Sequence, residues 1–486
     1  MSVVRSRRRL AAVLATCAAT VLAAAPASAA PAGLGDRVDV DRVQRHLVAL
    51  QRIADTHDGN RASGLPGYES SVDYVAGKLR NAGFDVRTPE FDYQAYRLDS
   101  FALDVDGSPA EGDALEYSPA TPRGGLTAPL SVAAVDDTPG CEAADFPADV
   151  AGKVVLVQRG SCSFAQKQQV AADLGAAAAI IYNNAEGPLG GTLGDPADAR
   201  IPTAGVTRAV GADLAGRAGA QVHLDVQSRL ENITTRNVIA QTRTGRPDNV
   251  VMAGAHLDSV PEGAGINDNG TGTAGLLETA LRLGGEPGTP NAVRFAFWGA
   301  EESGLVGSTK YVQGLSFEQR LDIALYLNFD MIGSPNAGYF AYDGDDSDGV
   351  GAGPGPEGSA AIERDLTAAM AAQGVRLQGT DFDGRSDYGE FIANGIPSGG
   401  LFTGAEDLKT EQQAAEWGGT AGQPYDPNYH GPADTLSNVD EVALERNSKA
   451  LATTIGAYAE STDSVHRGSR ALAAEEPPML GSHARI

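Results

Sequence analysis

Six side chains in the second half of the chain have the types and the order of a metal-dependent hydrolytic centre: His256, Asp268, Glu301, Glu302, Asp330 and His430. Zinc takes imidazole nitrogen and carboxylate oxygen in roughly tetrahedral geometry, and a catalytic site keeps one position open for water or substrate. Two histidines and three carboxylates are too many donors for one such ion. They suit two ions that share a bridging carboxylate. Metals paired at about 3.5 to 4 Å hold one hydroxide between them and polarise a carbonyl. Another group must then move protons, and Glu301, directly before Glu302, is the expected general base. Asp258, two residues after His256, is placed to accept that imidazole's other N–H and fix the ring.

Such groups need rigid strands to hold them. Apolar runs at residues 249–255, 291–298 and 324–329 lead into His256, into Glu301-Glu302 and into Asp330. Short β-rich runs broken by glycine and separated by helix-length stretches read as buried parallel strands. In such sheets ligands bind beyond the carboxyl ends of the strands, so three of the donors are expected in one crevice. Amphipathic helices are expected at residues 46–56, 68–82, 273–283, 360–372 and 442–458, covering the sheet's faces. A lone His-x-Asp or Glu-Glu pair is common in solvated loops; it is the ordered set that carries weight.

The motifs His256-Leu257-Asp258-Ser259, Gly265-Ile266-Asn267-Asp268-Asn269-Gly270, Glu301-Glu302-Ser303-Gly304, Asn328-Phe329-Asp330-Met331-Ile332-Gly333, Gly384-Arg385-Ser386-Asp387-Tyr388 and Tyr429-His430 stand in one order. In that order the chain resembles the secreted bacterial di-zinc aminopeptidase family, related to leucine aminopeptidases and aminopeptidase Y, with a protease-associated (PA) domain inserted. The resemblance runs from about Val38 to about Thr462. It implies an α/β fold with a mixed, mostly parallel central sheet flanked by helices, and a small β-rich insert. It implies two Zn2+ ions: His256 and Asp330 on one, Glu302 and His430 on the other, Asp268 bridging. It also implies Glu301 as base, Tyr429 as the group that stabilises the oxyanion, and Arg385 as part of the pocket for the substrate's free amino group. The family often flanks the last histidine ligand with a cysteine pair. Here Asn428 and Ala433 stand in those neighbourhoods, so the loop is expected to be held by packing alone.

Arg5, Arg7, Arg8 and Arg9, an apolar run from Leu10 to Ala25 and then Ala27-Ser28-Ala29 read as a signal peptide over residues 1–30, by the Sec or the twin-arginine route. Cys17 lies inside the apolar run and is expected to leave with it. Losing four arginines and no acid takes the formal charge from −26 to −30. Such a chain repels nucleic acid and anionic membrane. No later segment is apolar and long enough to span a bilayer. A soluble, extracellular monomer is expected. Cys141 and Cys162 then remain, an even pair in an oxidising compartment, expected as one disulfide.

Both cysteines fall in the PA-like segment, residues 118–227. A strand followed by a tight turn within residues 152–164, a helix at 165–174 and a strand at 176–182 are expected there, with none of the expected metal ligands. It interrupts one catalytic domain, residues 31–117 and 228–462, and residues 463–486 read as a disordered tail or removable propeptide. The run Asp343-Gly344-Asp345-Asp346-Ser347-Asp348 resembles a calcium loop but lacks the bidentate glutamate of an EF-hand. It is read as a solvated acidic loop, with Ca2+ left open. His46, His57, His223, His466 and His483 lie outside the motifs and read as ordinary core or surface histidines.

The expected activity is zinc-dependent release of N-terminal residues, large apolar ones such as leucine by resemblance, from peptides with a free N-terminus. The alternatives are a carboxypeptidase or amidohydrolase of the same fold, or a non-catalytic binding protein. A carboxypeptidase needs a cation for the substrate carboxylate, and Arg385 is the motif residue available.

Overall fold

A computed structural model of the chain describes residues 33–465 apart from 186, 188, 195 and 352. The expected signal peptide lies outside the described residues, as do His466, His483 and the expected tail beyond residue 465.

Two eight-stranded mixed sheets form the frame. In the first, the strands run in the order Asp85–Arg87, Val238–Gln241, Asn291–Trp298, Arg246–His256, Ile323–Phe329, Ser398–Phe402, Phe340–Tyr342 and Gln378–Thr380. The four at its centre, from Asn291–Trp298 to Ser398–Phe402, are parallel, and antiparallel strands lie outside them. Their residues are buried on both faces, which is why they read as continuous apolar runs. Val251, Ala253 and Ala255 face one core together with Phe295, Leu325 and Leu327. Met252, Ala296 and Tyr326 face the other, under Phe391 and Tyr388. Gly254 has no room for a side chain, since a Cβ there would meet Tyr326 Oη at 2.3 Å and Trp298 Nε1 at 2.6 Å.

Helices Val40–Asp55, Pro66–Asn81, Gly272–Leu283, Ser359–Ala371 and Glu441–Glu460 pack on the first of these cores. Val43, Leu47, Leu50 and Ala54 recur at helical spacing and are all buried, and Asp39 caps the helix by accepting from Asp41 N. Asp440 caps the last helix through Val442 N and Ala443 N. Full burial of each leucine contributes about 2 kcal/mol, so these faces fix the helices beneath the strand ends.

The second sheet runs Ser108–Pro109, Glu90–Val105, Gln221–Arg236, Leu126–Val132, Val154–Gln158, Ala178–Tyr182, Thr203–Val206 and Asp113–Ala114. Its longest strands, Glu90–Val105 and Gln221–Arg236, pair antiparallel from Glu90↔Arg236 to Val105↔Val222. At the base of this ribbon Tyr93 and Ala95 pack on Ala300, directly before Glu301. Tyr117 Oη donates to Ser303 O at 2.9 Å. The second sheet is thereby tied to the turn that carries Glu301 and Glu302. Cys141 and Cys162 are bonded, with an S–S distance of 2.02 Å. Among the described residues no helix is long and apolar enough to cross a membrane.

Candidate metal centre

His256 ends its strand, Asp330 follows Phe329, and Glu301-Glu302 follow the strand Asn291–Trp298 after one turn, all at the carboxyl edge of the parallel strands. Asp268 comes from the turn Ile266–Thr271 that leads into helix Gly272–Leu283. His430 comes from the loop before Leu436. Three of these groups sit in or beside left-handed backbone, with φ of 55° at Ala300, 50° at Met331 and 54° at His430. Non-glycine residues held there cost about 1–3 kcal/mol each and persist where the surroundings over-determine them.

His256 Nε2 lies 3.1 Å from Asp268 Oδ1, 3.3 Å from Asp330 Oδ1 and 3.8 Å from Glu301 Oε2. His430 Nε2 lies 3.2 Å from Asp268 Oδ2 and 3.0 Å from Glu302 Oε2. Each oxygen of Asp268 therefore faces a different imidazole. The other nitrogen of His256, Nδ1, is 3.2 Å from the main-chain oxygen of Asp258 and 3.7 Å from its Oδ1. A proton on Nδ1 donated to that oxygen leaves the Nε2 lone pair for a cation. The Asp258 carboxylate also accepts from Glu301 N at 3.2 Å and Glu302 N at 3.4 Å, which holds the turn in place.

The donor set fits metal. Glu302 Oε1 and Asp330 Oδ1 are buried and accept no hydrogen bond, although buried polar atoms are nearly always satisfied. Burial opposes the charge on His256, but Glu301 and Asp330 beside it hold its pKa well above the usual histidine value. The same contest at His430 is won by Glu302 and Asp268. Burial, together with Asp387, Asp330 and Glu302, pushes the Glu301 carboxyl well up. Carboxylates crowded out of water around two imidazoles need cations to neutralise them, and the residues His256, Asp268, Glu302 and Asp330 with His430 could hold metal.

Asp330 is supported from behind by a line of hydrogen bonds that no local pattern in the sequence foretells. Trp298 Nε1 donates to Tyr326 Oη at 2.8 Å, Tyr326 Oη to Asn328 Oδ1 at 3.0 Å, Asn328 Nδ2 to Ser386 Oγ at 2.8 Å, and Ser386 Oγ to Asp330 Oδ2 at 2.5 Å. Arg385, next to Ser386, points elsewhere. Its guanidinium grips Glu406 at 2.9 and 3.3 Å and reaches Tyr429 Oη at 3.3 Å. Glu406 is one of the residues that sequence reading missed. Burial and then Asp268 raise the Tyr429 hydroxyl well above its ordinary pKa, against the pull of Arg385, so it keeps its proton.

The loop around His430, expected from its lack of cysteines to be held by packing alone, is held as well by hydrogen bonds to buried carboxylates. Asp426 accepts from Asn428 N at 2.8 Å, and Asp434 accepts from Asn267 N at 2.7 Å and Asp268 N at 3.0 Å. The acidic run is solvated at Asp345, Ser347 and Asp348, as expected, but is anchored at its start. Asp343 is buried and accepts from Ser347 N and Asp348 N, and Glu363, from helix Ser359–Ala371, joins Asp343 and Asp345 within 4.8 Å. His46 is a core residue, bonded to Tyr74 Oη at 2.7 Å.

Known proteins match this arrangement along most of the chain. Residues 237–455 match peptidase family M28, and residues 126–214 match the PA domain. The chain is 52% identical over 432 residues to the probable lipoprotein aminopeptidase LpqL of Mycobacterium tuberculosis, covering 88% of this chain and 86% of the relative. It is 42% identical over 432 residues to leucine aminopeptidase 2 of Trichophyton tonsurans, covering 88% and 86%. Among solved structures it is similar to the aminopeptidase from Aneurinibacillus sp. strain AM-1, with a TM-score of 0.69, 28% identity and coverage of 87% and 94%. It is also similar to the zinc aminopeptidase BSAP from Bacillus subtilis, with a TM-score of 0.62, 26% identity and coverage of 86% and 94%.

Proposed function

Because the chain belongs to peptidase family M28 and carries a PA domain, we propose that it is a secreted di-zinc aminopeptidase that removes large apolar residues such as leucine from peptide N-termini. The observation that carries this reading is Asp268, with one carboxylate oxygen toward each of the two imidazoles. His256 and Asp330 would hold one zinc ion, Glu302 and His430 the other, and Asp268 both. Bound zinc supplies the Lewis acidity that activates water and polarises the scissile carbonyl.

The chain's own residues supply the rest. Glu301 Oε2, 3.8 Å from His256 Nε2 and grouped with His256 and Asp330, is the carboxylate left over once the ligands are assigned; it takes the attacking water's proton and returns it to the leaving amine. The hydroxyl of Tyr429 donates to the oxygen on which negative charge develops, and the Arg385–Glu406 pair holds that hydroxyl in place. Surplus carboxylate around the metals receives the substrate's ammonium group. The leucine preference is supported by the name of the Trichophyton relative.

A carboxypeptidase reading is disfavoured by the same geometry, since the guanidinium of Arg385 already engages Glu406 and Tyr429. A binding-protein reading is disfavoured because every donor and the base are in place. We assign residues 118–227 to the insert, whose sheet also takes in the flanking strands from Glu90–Val105 to Asp113–Ala114 and the whole of Gln221–Arg236, with the catalytic domain on either side, and a monomer as the working unit. Residues 1–30 would leave on export. Mass analysis of the exported protein tests this: a mature chain that begins at a lipid-bearing Cys17, as the lipoprotein name of the Mycobacterium relative allows, would overturn it.

Hydrolysis of leucine p-nitroanilide, its N-acetyl derivative and an N-blocked dipeptide with a free C-terminus tests the specificity. Turnover of the first alone is expected. Turnover of the N-blocked dipeptide in its place would make the chain a carboxypeptidase.

A further inference from the structure

Arg61 sits in the turn between helices Val40–Asp55 and Pro66–Asn81 and is fully buried. Its guanidinium donates to three main-chain oxygens: Ala264 O at 2.9 Å through Nε, Gly265 O at 2.6 Å through Nη2, and Leu257 O through Nη1. Its own N–H donates to Ser259 Oγ at 2.9 Å, and its carbonyl accepts from Ser259 N at 3.3 Å. Every one of these partners lies between His256 and Asp268. On the far side of the same segment, the Asp434 carboxylate takes the amides of Asn267 and Asp268. The segment is thus held by its carbonyls on a buried cation and by its amides on a buried anion.

The turn between these grips is tight. Gly265 has φ +60°, and a Cβ on it would meet Asp268 O at 2.4 Å. A buried guanidinium is stable only with its donors satisfied and negative charge close by. Burial pulls the pKa of Arg61 down, and Asp258, Asp434, Asp268 and Glu302 push it back.

We infer that Arg61 is a positioning residue for the metal centre: with Asp434 it clamps residues 257–268 so that Asp268 presents one oxygen to each imidazole. The inference rests on the reading of Asp268 as the bridging ligand. Three roles are separable. A purely electrostatic Arg61 opposes cation binding, so losing its charge would tighten zinc. A purely structural one lowers thermal stability and leaves the zinc affinity of the folded protein unchanged. A positioning residue weakens zinc binding in protein that is still folded, even when the charge is kept.

The experiment is zinc titration of the chelator-stripped protein against a chromophoric competitor, with thermal unfolding and the visible spectrum of the cobalt-loaded protein alongside. Wild type, Arg61→Lys, Arg61→Met and Asp434→Asn are compared. Two zinc ions are expected in wild type. In Arg61→Lys and Asp434→Asn the affinity for the weaker-bound ion is expected to fall about 10- to 100-fold, as for other residues that orient ligands from behind, with altered cobalt bands. Wild-type affinity for both ions in the folded variants, or tighter binding in Arg61→Met, overturns the clamp alone. Should Arg61→Lys fail to fold, Asp434→Asn decides on the same criterion. A wild type that takes up fewer than two zinc ions overturns the di-zinc reading itself and the clamp with it.

Discussion

The ring of Tyr429 lies face to face on the ring of His430, with centroids 3.8 Å apart and planes 24° from parallel. The stack sets the tyrosine hydroxyl on the same loop that carries His430, so the proposed oxyanion donor and the proposed ligand are positioned together. Tyr429→Phe keeps the stack and removes only the hydroxyl. We expect kcat to fall about 10²- to 10³-fold, the scale of one lost oxyanion donor, with zinc content unchanged and KM little altered. A kcat within a few-fold of wild type in steady-state kinetics would remove Tyr429 from the chemistry.

Asp258 holds the amides of Glu301 and Glu302 with its two carboxylate oxygens. Asp258→Asn leaves one acceptor and turns the other position into a donor facing an N–H. Zinc affinity or kcat should fall about 10- to 100-fold. Competition titration and kinetics on the same preparation check this, and wild-type values in both would show that the turn holds itself.

The disulfide Cys141–Cys162 closes a loop across 21 residues of the insert, far from any metal donor in sequence. Replacing both cysteines by serine should destabilise the insert by about 3 kcal/mol, the chain-entropy scale for a loop of that length. Zinc stoichiometry should not change. A loss of bound zinc without loss of stability would tie the insert to the centre more closely than Tyr117 and the ribbon base do.

Lys167 is buried against this disulfide, with Nζ bonded to Pro139 O and 3.7 Å from Cys141 Sγ. Burial lowers its pKa to about 8, against the opposing pull of Asp145 and Asp136. The folded chain then binds fewer protons than the unfolded one between pH 8 and the ordinary lysine value of about 10.4, so stability rises with pH across that window. Below it both states are charged and the burial penalty stands in full. Denaturant midpoints should climb over this range in wild type and stay flatter in Lys167→Met; parallel curves would show that Lys167 titrates normally.

The ligand strands and the covering helices were legible because both faces of each strand are buried and each helix face repeats at helical spacing. The strand 291–298 is found where expected, as Asn291–Trp298, and the last helix, expected over 442–458, runs Glu441–Glu460. What pattern does not reveal is support at long range. Arg61 and Leu257 are 196 positions apart, and Asn328 and Ser386 are 58 apart. Nothing periodic marks such pairs. Glu363 was hidden for the same reason, since it reaches the acidic loop from a separate helix. Asp258 lies beside His256, with its main-chain oxygen nearer the ring than its carboxylate, and its grip on Glu301 and Glu302 depends on how two adjacent parallel strands end side by side. The ribbon Glu90–Val105 was invisible because its alternation is interrupted by charged and half-exposed residues.

The most direct test is hydrolysis of leucine p-nitroanilide by the purified protein as isolated, after chelation, after zinc is restored, and in Glu301→Gln. The account predicts activity that disappears on chelation and returns with two equivalents of zinc. It predicts a Glu301→Gln protein that binds both ions yet loses about 10²- to 10⁴-fold in kcat, the range for a general base. Undiminished turnover by chelated protein, or by Glu301→Gln, would contradict it.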